Sequence, residues 1–163
     1  MRIGVVSDTH GYFDPRLEPA LAGVDVILHA GDVGSEAVLT ALRAIAPVYA
    51  VQGNNDVPLG GLGLPEHIDI DLAGVRFHIV HEIAQARPRP HTDVVVFGHS
   101  HEALIEQRDG VLYLNPGAAG RRGFHRLQTA ALVSVETGRA RAELLELGPR
   151  EPRAVPASRP AKG

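Results

Sequence analysis

The chain contains no cysteine at all. Disulfides and thiolate metal sites are therefore excluded, and any metal must rest on oxygen and nitrogen ligands. No apolar run approaches the length of a membrane span. The N-terminus lacks a basic region followed by an apolar stretch, so no signal peptide is expected and a cytoplasmic protein is the simplest reading. Lysine is nearly absent too: 15 of the 16 basic residues are Arg and only Lys162 is Lys. With so much Ala, Gly and Pro, that skew reads as genome composition rather than chemistry.

What is present fits one domain, since 163 residues with 44% hydrophobic content are enough to bury a full-sized core. The net charge of −3 hides a split, with residues 148–163 at +3 and residues 1–147 at −6. A body this acidic does not read as a stable nucleic-acid binder, although bound divalent cations would balance it. The last 16 residues carry four prolines and almost nothing to bury. They read as a disordered tail after a domain over residues 1–147.

Strand-like and helix-like segments alternate at first. RIGVVS, VDVILHAG and PVYAVQG read as buried strands, and PRLEPALAG as a short helix with Pro15 near its start. SEAVLTALRAIA reads as a helix capped by Ser35, with Val38, Leu39, Leu42 and Ile45 on one face. This β-α-β-α-β order implies a parallel sheet. Hairpins come next, around Ala73-Gly74, Asp109-Gly110 and Thr137-Gly138, with DVVVFG as a single buried strand between the first two. The expectation is an α/β (α+β) fold of four layers, α-β-β-α, in which two mixed sheets form a sandwich flanked by helices.

Polar residues collect where these strands end. Asp8 and His10 close the first strand, Gly31-Asp32 the second, and Gly53-Asn54-Asn55-Asp56 the third, while His81 ends VRFHIV and Gly98-His99-Ser100-His101 comes after DVVVFG. Taken singly, each is also an ordinary turn, cap or structural histidine. Jointly they meet at the strand C-terminal edge, where open α/β sheets bind ligands. Two Asp, four His and one Asn suit Mn, Fe, Zn, Co or Ni rather than Ca²⁺. Seven ligands are too many for one ion with an open position, but they suit two ions sharing a carboxylate. Such a pair, about 3.5–4 Å apart, can activate a bridging water for attack at phosphorus.

The series D-x-H, G-D, G-N-N-D, a lone His and G-H-x-H resembles the calcineurin-like metallophosphoesterase superfamily, and SDTHG is most similar to its small prokaryotic YfcE-type phosphodiesterase branch. The resemblance spans residues 1 to about 147. It implies one metal held by Asp8, His10, Asp32 and His101, and a second by Asp32, Asn54, His81 and His99, with Asp32 bridging. Two divalent transition-metal ions, Mn first, are the implied cofactors, and Asp32, Asn54 and Asn55 the catalytic positions. Many relatives carry a leaving-group-protonating His where this chain has Asn55, which shifts the expectation toward phosphodiesters. Glu82 stands directly after His81, where Gly is common.

Softer candidates are His29 and Asp56, as supports of the ligands or as local structure, and Arg121 and Arg122, as phosphate contacts or solvated surface. The expected activity is hydrolysis of a small phosphodiester by a metal-bridging hydroxide. Alternatives are a phosphomonoesterase, a nucleotide pyrophosphatase, or a non-catalytic protein-binding scaffold like the retromer subunit that resembles this fold. A homo-oligomer is compatible with all of these.

Overall fold

The computed structural model describes residues 1–152. It holds ten strands and two α-helices in the order β1 (Arg2–Val6), α1 (Leu17–Ala20), β2 (Val26–His29), α2 (Glu36–Arg43), β3 (Val48–Ala50), β4 (His67–Leu72), β5 (Val75–Val80), β6 (Val94–Val96), β7 (Leu104–Arg108), β8 (Val111–Asn115), β9 (Leu127–Glu136) and β10 (Arg139–Pro149). Two five-stranded sheets result, ordered β10-β9-β1-β2-β3 and β4-β5-β6-β8-β7.

Alternation along each strand dictates the layers. Ile3 and Val5 of β1, Val26 and Leu28 of β2, Phe77 and Ile79 of β5, and Val94 and Val96 of β6 share the core between the sheets. A fully buried side chain of this kind contributes roughly 1.5–3 kcal/mol relative to an exposed one. Val6 and Ile27 point the other way and meet Leu17 and Leu21 beside Val38, Leu39 and Leu42 of α2. Both α-helices therefore cover the outer face of the first sheet. On the second sheet Val80, Val95 and Phe97 are covered by Ala86, in an irregular segment holding one 3-10 turn at Ile83–Gln85.

All three expected hairpins form with the expected turns. Two local details differ. Ser35 stands at the N-cap of α2 but makes no side-chain cap; its carbonyl closes the turn by accepting from Val38 N–H at 3.2 Å. The first helix is a single turn, since Pro19 lies within it and Gly23, just beyond, has φ +74°.

The second sheet is parallel at its centre, with β5 beside β6 and β6 beside β8. The first is parallel across β1, β2 and β3. The segments after β1, β2, β3, β5, β6 and β8 share one rim of the sandwich, as the hydrogen bonds between residues 8 and 31, 32 and 55, 81 and 98, 98 and 115, and 8 and 99 show. Of the expected tail, Gly148 and Pro149 complete β10 after a bulge at Glu146/Gly148. Glu151 N–H donates to Gln128 at 2.8 Å. Residues 153–163, to which the rest of the disorder expectation applies, lie outside the described residues. Among the described residues no helix is long and apolar enough to cross a membrane.

Candidate metal centre

Beyond β1 and β2 the two chain segments stay zipped instead of parting. Asp8 N–H donates to Gly31 O at 3.0 Å, His10 N–H to Asp32 O at 2.9 Å and Gly11 N–H to Val33 O at 2.8 Å. The zipper has a conformational cost. Asp8, His10, Asp32, His99 and His101 all have left-handed backbones, with φ between 47° and 70°. A non-glycine residue held there costs about 1–2 kcal/mol. Such strain persists only where the surroundings over-determine it. Asp8 O is held by Gly120 N–H at 3.1 Å, and Gly98 N–H donates to His81 O at 2.9 Å.

All seven expected ligands meet on this rim. Asp8 is wholly buried; its Oδ2 accepts from the Ser7 hydroxyl at 2.6 Å and from His99 N–H at 3.1 Å. Among the described residues its Oδ1 accepts no hydrogen bond. That oxygen stands 3.2 Å from His101 Nε2 and 3.8 Å from His10 Nε2. The two imidazole nitrogens are themselves 3.2 Å apart. Asn54 Oδ1 gathers the other side, lying 3.0 Å from His81 Nε2 and 3.2 Å from His99 Nδ1. Asp32 Oδ2 stands between, 3.7 Å from His10 Nε2 and 3.4 Å from His81 Nε2. The donors of Asp8, His10 and His101 lie within 4.8 Å of one another, as do those of Asp8, Asp32 and His81. Asp8 therefore reaches both groups, a sharing that the spacing along the chain did not disclose.

The electrostatics suit a cation. His81 Nδ1–H donates to Ala30 O at 2.7 Å, which turns the Nε2 lone pair toward the cluster. Burial opposes charge on His81, but Asp32, Asp8 and the Ala30 carbonyl prevail and raise its pKa. Burial also works against ionised Asp32, yet contact with His81 and two N–H groups of Asn55 hold its carboxyl well below the usual carboxylate range. For His10, burial outweighs the two carboxylates and lowers its pKa, which favours a neutral, ligating ring. A buried carboxylate oxygen without a donor is costly. Amid imidazole nitrogens, its fitting partner is a metal ion.

Close approach explains the glycines in these motifs. A Cβ on Gly53 would run into Asp32, and one on Gly98 into Ser7 and Asp8. Asn55 does not face the cleft alone: its Nδ2 donates to Asp32 Oδ2 at 2.7 Å and its N–H to Oδ1 at 2.8 Å. Asp56 does not reach the asparagine side chains. Its buried carboxylate accepts from the backbone N–H groups of Val33, Gly34 and Gly53 at 2.8–3.0 Å, tying two ligand loops together. His29 is fully buried; its Nδ1 accepts from Gly31 N–H at 3.2 Å and its Nε2 lies 3.0 Å from the Thr9 hydroxyl. Burial pushes its pKa down to about 4, so the ring is neutral.

The candidate arginines separate. Arg121 turns away, its guanidinium 3.8 Å above the Tyr12 ring. Arg122 lines an open cleft of about 520 Å³ with His10, Asp32, Asn55, His99 and His101. Phe124, His125, Ser100 and Glu102 also line it. None of these four was among the expected site residues. His125 packs edge-on to His101 at 5.4 Å and has a buried Nδ1 without a hydrogen-bond partner among the described residues. Asn115 had no role assigned from the sequence, although its loop, LNPGAAGRRGFHR, resembles the family's Asn-Pro-Gly loop near the site: its Nδ2 donates to Gly98 O at 3.0 Å and Ser100 Oγ at 3.1 Å, which braces the turn carrying His99 and His101. Its signal was the Asn-Pro-Gly at the end of a strand.

Known proteins resemble this chain over most of its length. Residues 1–138 match the model of the calcineurin-like phosphoesterase superfamily domain. A probable metallophosphoesterase of Methanothermobacter thermautotrophicus is 33% identical over 135 residues, covering 72% of this chain and 77% of that protein. A phosphodiesterase of Methanocaldococcus jannaschii is 30% identical over 139 residues, covering 72% and 83%. Among solved structures, a novel archaeal phosphodiesterase superposes with TM-score 0.72 at 26% identity, covering 89% of this chain and all of that one. Vps29 of Entamoeba histolytica, solved with Zn²⁺, shares the fold with TM-score 0.67 at 19% identity, covering 91% of this chain and all of that one. The chain belongs to the calcineurin-like phosphoesterase superfamily.

Proposed function

We propose that this metallophosphoesterase is a phosphodiesterase that holds two divalent transition-metal ions, one among Asp8, His10, Asp32 and His101, the other among Asp32, Asn54, His81 and His99. The observation that carries the reading is the buried, unpartnered Asp8 Oδ1 facing two imidazole nitrogens. The donor set suits Mn²⁺ first, with Fe, Zn, Co and Ni as alternatives. Such a pair, once bound, supplies charge neutralisation and an activated water nucleophile.

The chain's own residues do the rest. Arg122 stands in the cleft beside His10 and Asp32, where its guanidinium suits a phosphate's non-bridging oxygens. Asn55 fixes both oxygens of Asp32 and carries no titratable proton. Esters whose leaving group departs unprotonated are then favoured, which points to activated diesters over alkyl monoesters. The M. jannaschii relative named a phosphodiesterase supports the same choice.

The test is a screen of metals against phosphate mono- and diesters on chelator-stripped protein. Hydrolysis of 4-nitrophenyl diesters restored by Mn²⁺ or a congener is the expected result. Preference for monoesters or pyrophosphates would move the reading to a phosphomonoesterase or nucleotide pyrophosphatase. No hydrolysis with any metal would favour a scaffold role, the second reading prompted by the Vps29 likeness in fold.

A further inference from the structure

We infer that Phe124, with Arg122, forms a subsite for a flat aromatic group on one arm of the diester, a nucleobase or an aryl ring. This rests on the phosphodiesterase reading and deepens it. Phe124 is fully exposed, although it is among the bulkiest apolar side chains here. It also lines the cleft that holds His10, Asp32, His99 and His101. An exposed apolar residue is ordinary in itself. An aromatic at the mouth of a polar, histidine-rich cleft offers something specific: a π-face beside the place where a phosphate would sit.

The loop that presents Phe124 is tied down on both sides. His125 Nε2–H donates back to Gly120 O at 2.9 Å. Arg126 O accepts from Arg150 N–H at 2.9 Å. Arg121 O accepts from the Arg150 guanidinium at 3.2 Å. The Arg121 side chain lies over Tyr12, whose hydroxyl donates to Glu151 at 2.8 Å. The segment at residues 150–151 thus buttresses the loop from behind. Arg122 and Phe124 lie between these ties, and both line the cleft.

The two side chains divide the labour. Arg122 recognises the phosphate, and Phe124 stacks on the ring attached to it. Stacking is tolerant of ring identity, because every nucleobase and aryl group has a π-face. The subsite therefore selects for aromaticity, not for a particular base.

The test uses full-length metal-loaded protein and three diesters sharing one leaving group: methyl 4-nitrophenyl phosphate, bis(4-nitrophenyl) phosphate and thymidine 5′-(4-nitrophenyl phosphate). In wild type, kcat/KM for both aromatic diesters exceeds that for the methyl diester. In Phe124→Ala that ratio falls about tenfold, chiefly through KM, as loss of one stacked ring predicts. Phe124→Trp retains it. A fall for bis(4-nitrophenyl) phosphate alone assigns the subsite to aryl groups, and a fall for the thymidine diester alone assigns it to nucleobases. A second readout is independent of turnover: calorimetric affinity for thymidine 5′-monophosphate, compared with methyl phosphate, drops in Phe124→Ala. Ratios and affinities equal to wild type would overturn the subsite while leaving the phosphodiesterase reading intact. Absence of turnover on all three diesters would count against that reading, and the binding comparison would still decide the subsite.

Discussion

Asp8 Oδ1 lies 3.2 Å from His101 Nε2, and that buried oxygen accepts no hydrogen bond from any described residue. Ser7 and His99 satisfy only the other oxygen. A divalent ion at this point would relieve the orphaned acceptor. Saturating Mn²⁺ or Zn²⁺ should therefore stabilise the fold, by about 2.7 kcal/mol at roughly a hundred times Kd. In a chain of this size that is a rise of about 5–10 °C in Tm. Asp8→Asn should abolish most of the shift in a thermal melt, and an equal shift in the variant would place the ion elsewhere.

Asp32 separates the two candidate sites, with Oδ2 within 3.7 Å of His10 Nε2 and 3.4 Å of His81 Nε2. Elemental analysis of saturated protein should give two ions per chain, one in His81→Ala and fewer than one in Asp32→Ala. Turnover should fall further in Asp32→Ala than in His101→Ala, beyond the about 10–100-fold that a merely supporting residue costs. Wild-type-like turnover in Asp32→Ala would refute the shared arrangement.

Asn55 offers Asp32 two N–H groups and offers a leaving group no proton. Wild-type rates on aryl diesters should then depend steeply on leaving-group pKa. Asn55→His should flatten that dependence, since a general acid contributes about 10²–10⁴-fold for poor leaving groups. The comparison of slopes, not of absolute rates, is the measurement, because the variant also loses the Nδ2 contact to Asp32. Parallel slopes would mean that another group supplies the proton, with His125 next in line.

His29 is predicted to make stability pH-dependent. Its pKa falls from 6.5 to about 4 on burial, so between those values the unfolded chain binds the extra proton and the folded chain does not. Stability is complete above pH 6.5 and falls as pH drops toward 4, by about 3 kcal/mol in all. Urea unfolding of chelator-treated protein at about pH 7 and about pH 4.5 should show the loss, and His29→Gln should reduce it. An identical pH dependence in the variant would exclude His29 as the source.

That the candidate ligands gather at one rim was legible in the chain because a strand holds the residues just past its end rigidly, and apolar runs ending in Asp, His or Gly-Asp are visible without coordinates. The hairpins were legible for a similar local reason: Ala73-Gly74, Asp109-Gly110 and Thr137-Gly138 adopt the positive φ their turns require. Three things depended on tertiary structure. The parallel pairing of β5, β6 and β8, which brings His81 and His99 to the same rim as Asp8, joins segments distant in sequence. The left-handed backbones of five candidate ligands are held by hydrogen bonds between loops that meet only in the folded chain, although Asp and His adopt that conformation more readily than most side chains. And the roles of Asp56, Asn55, Arg121 and Phe124 came from which partner lay within reach: three backbone N–H groups, a carboxylate, a tyrosine ring and an open cleft. Sequence specifies which groups are available and which strand end carries them. Where each side chain turns is set by non-local contacts, and those exist only once the sheets have closed.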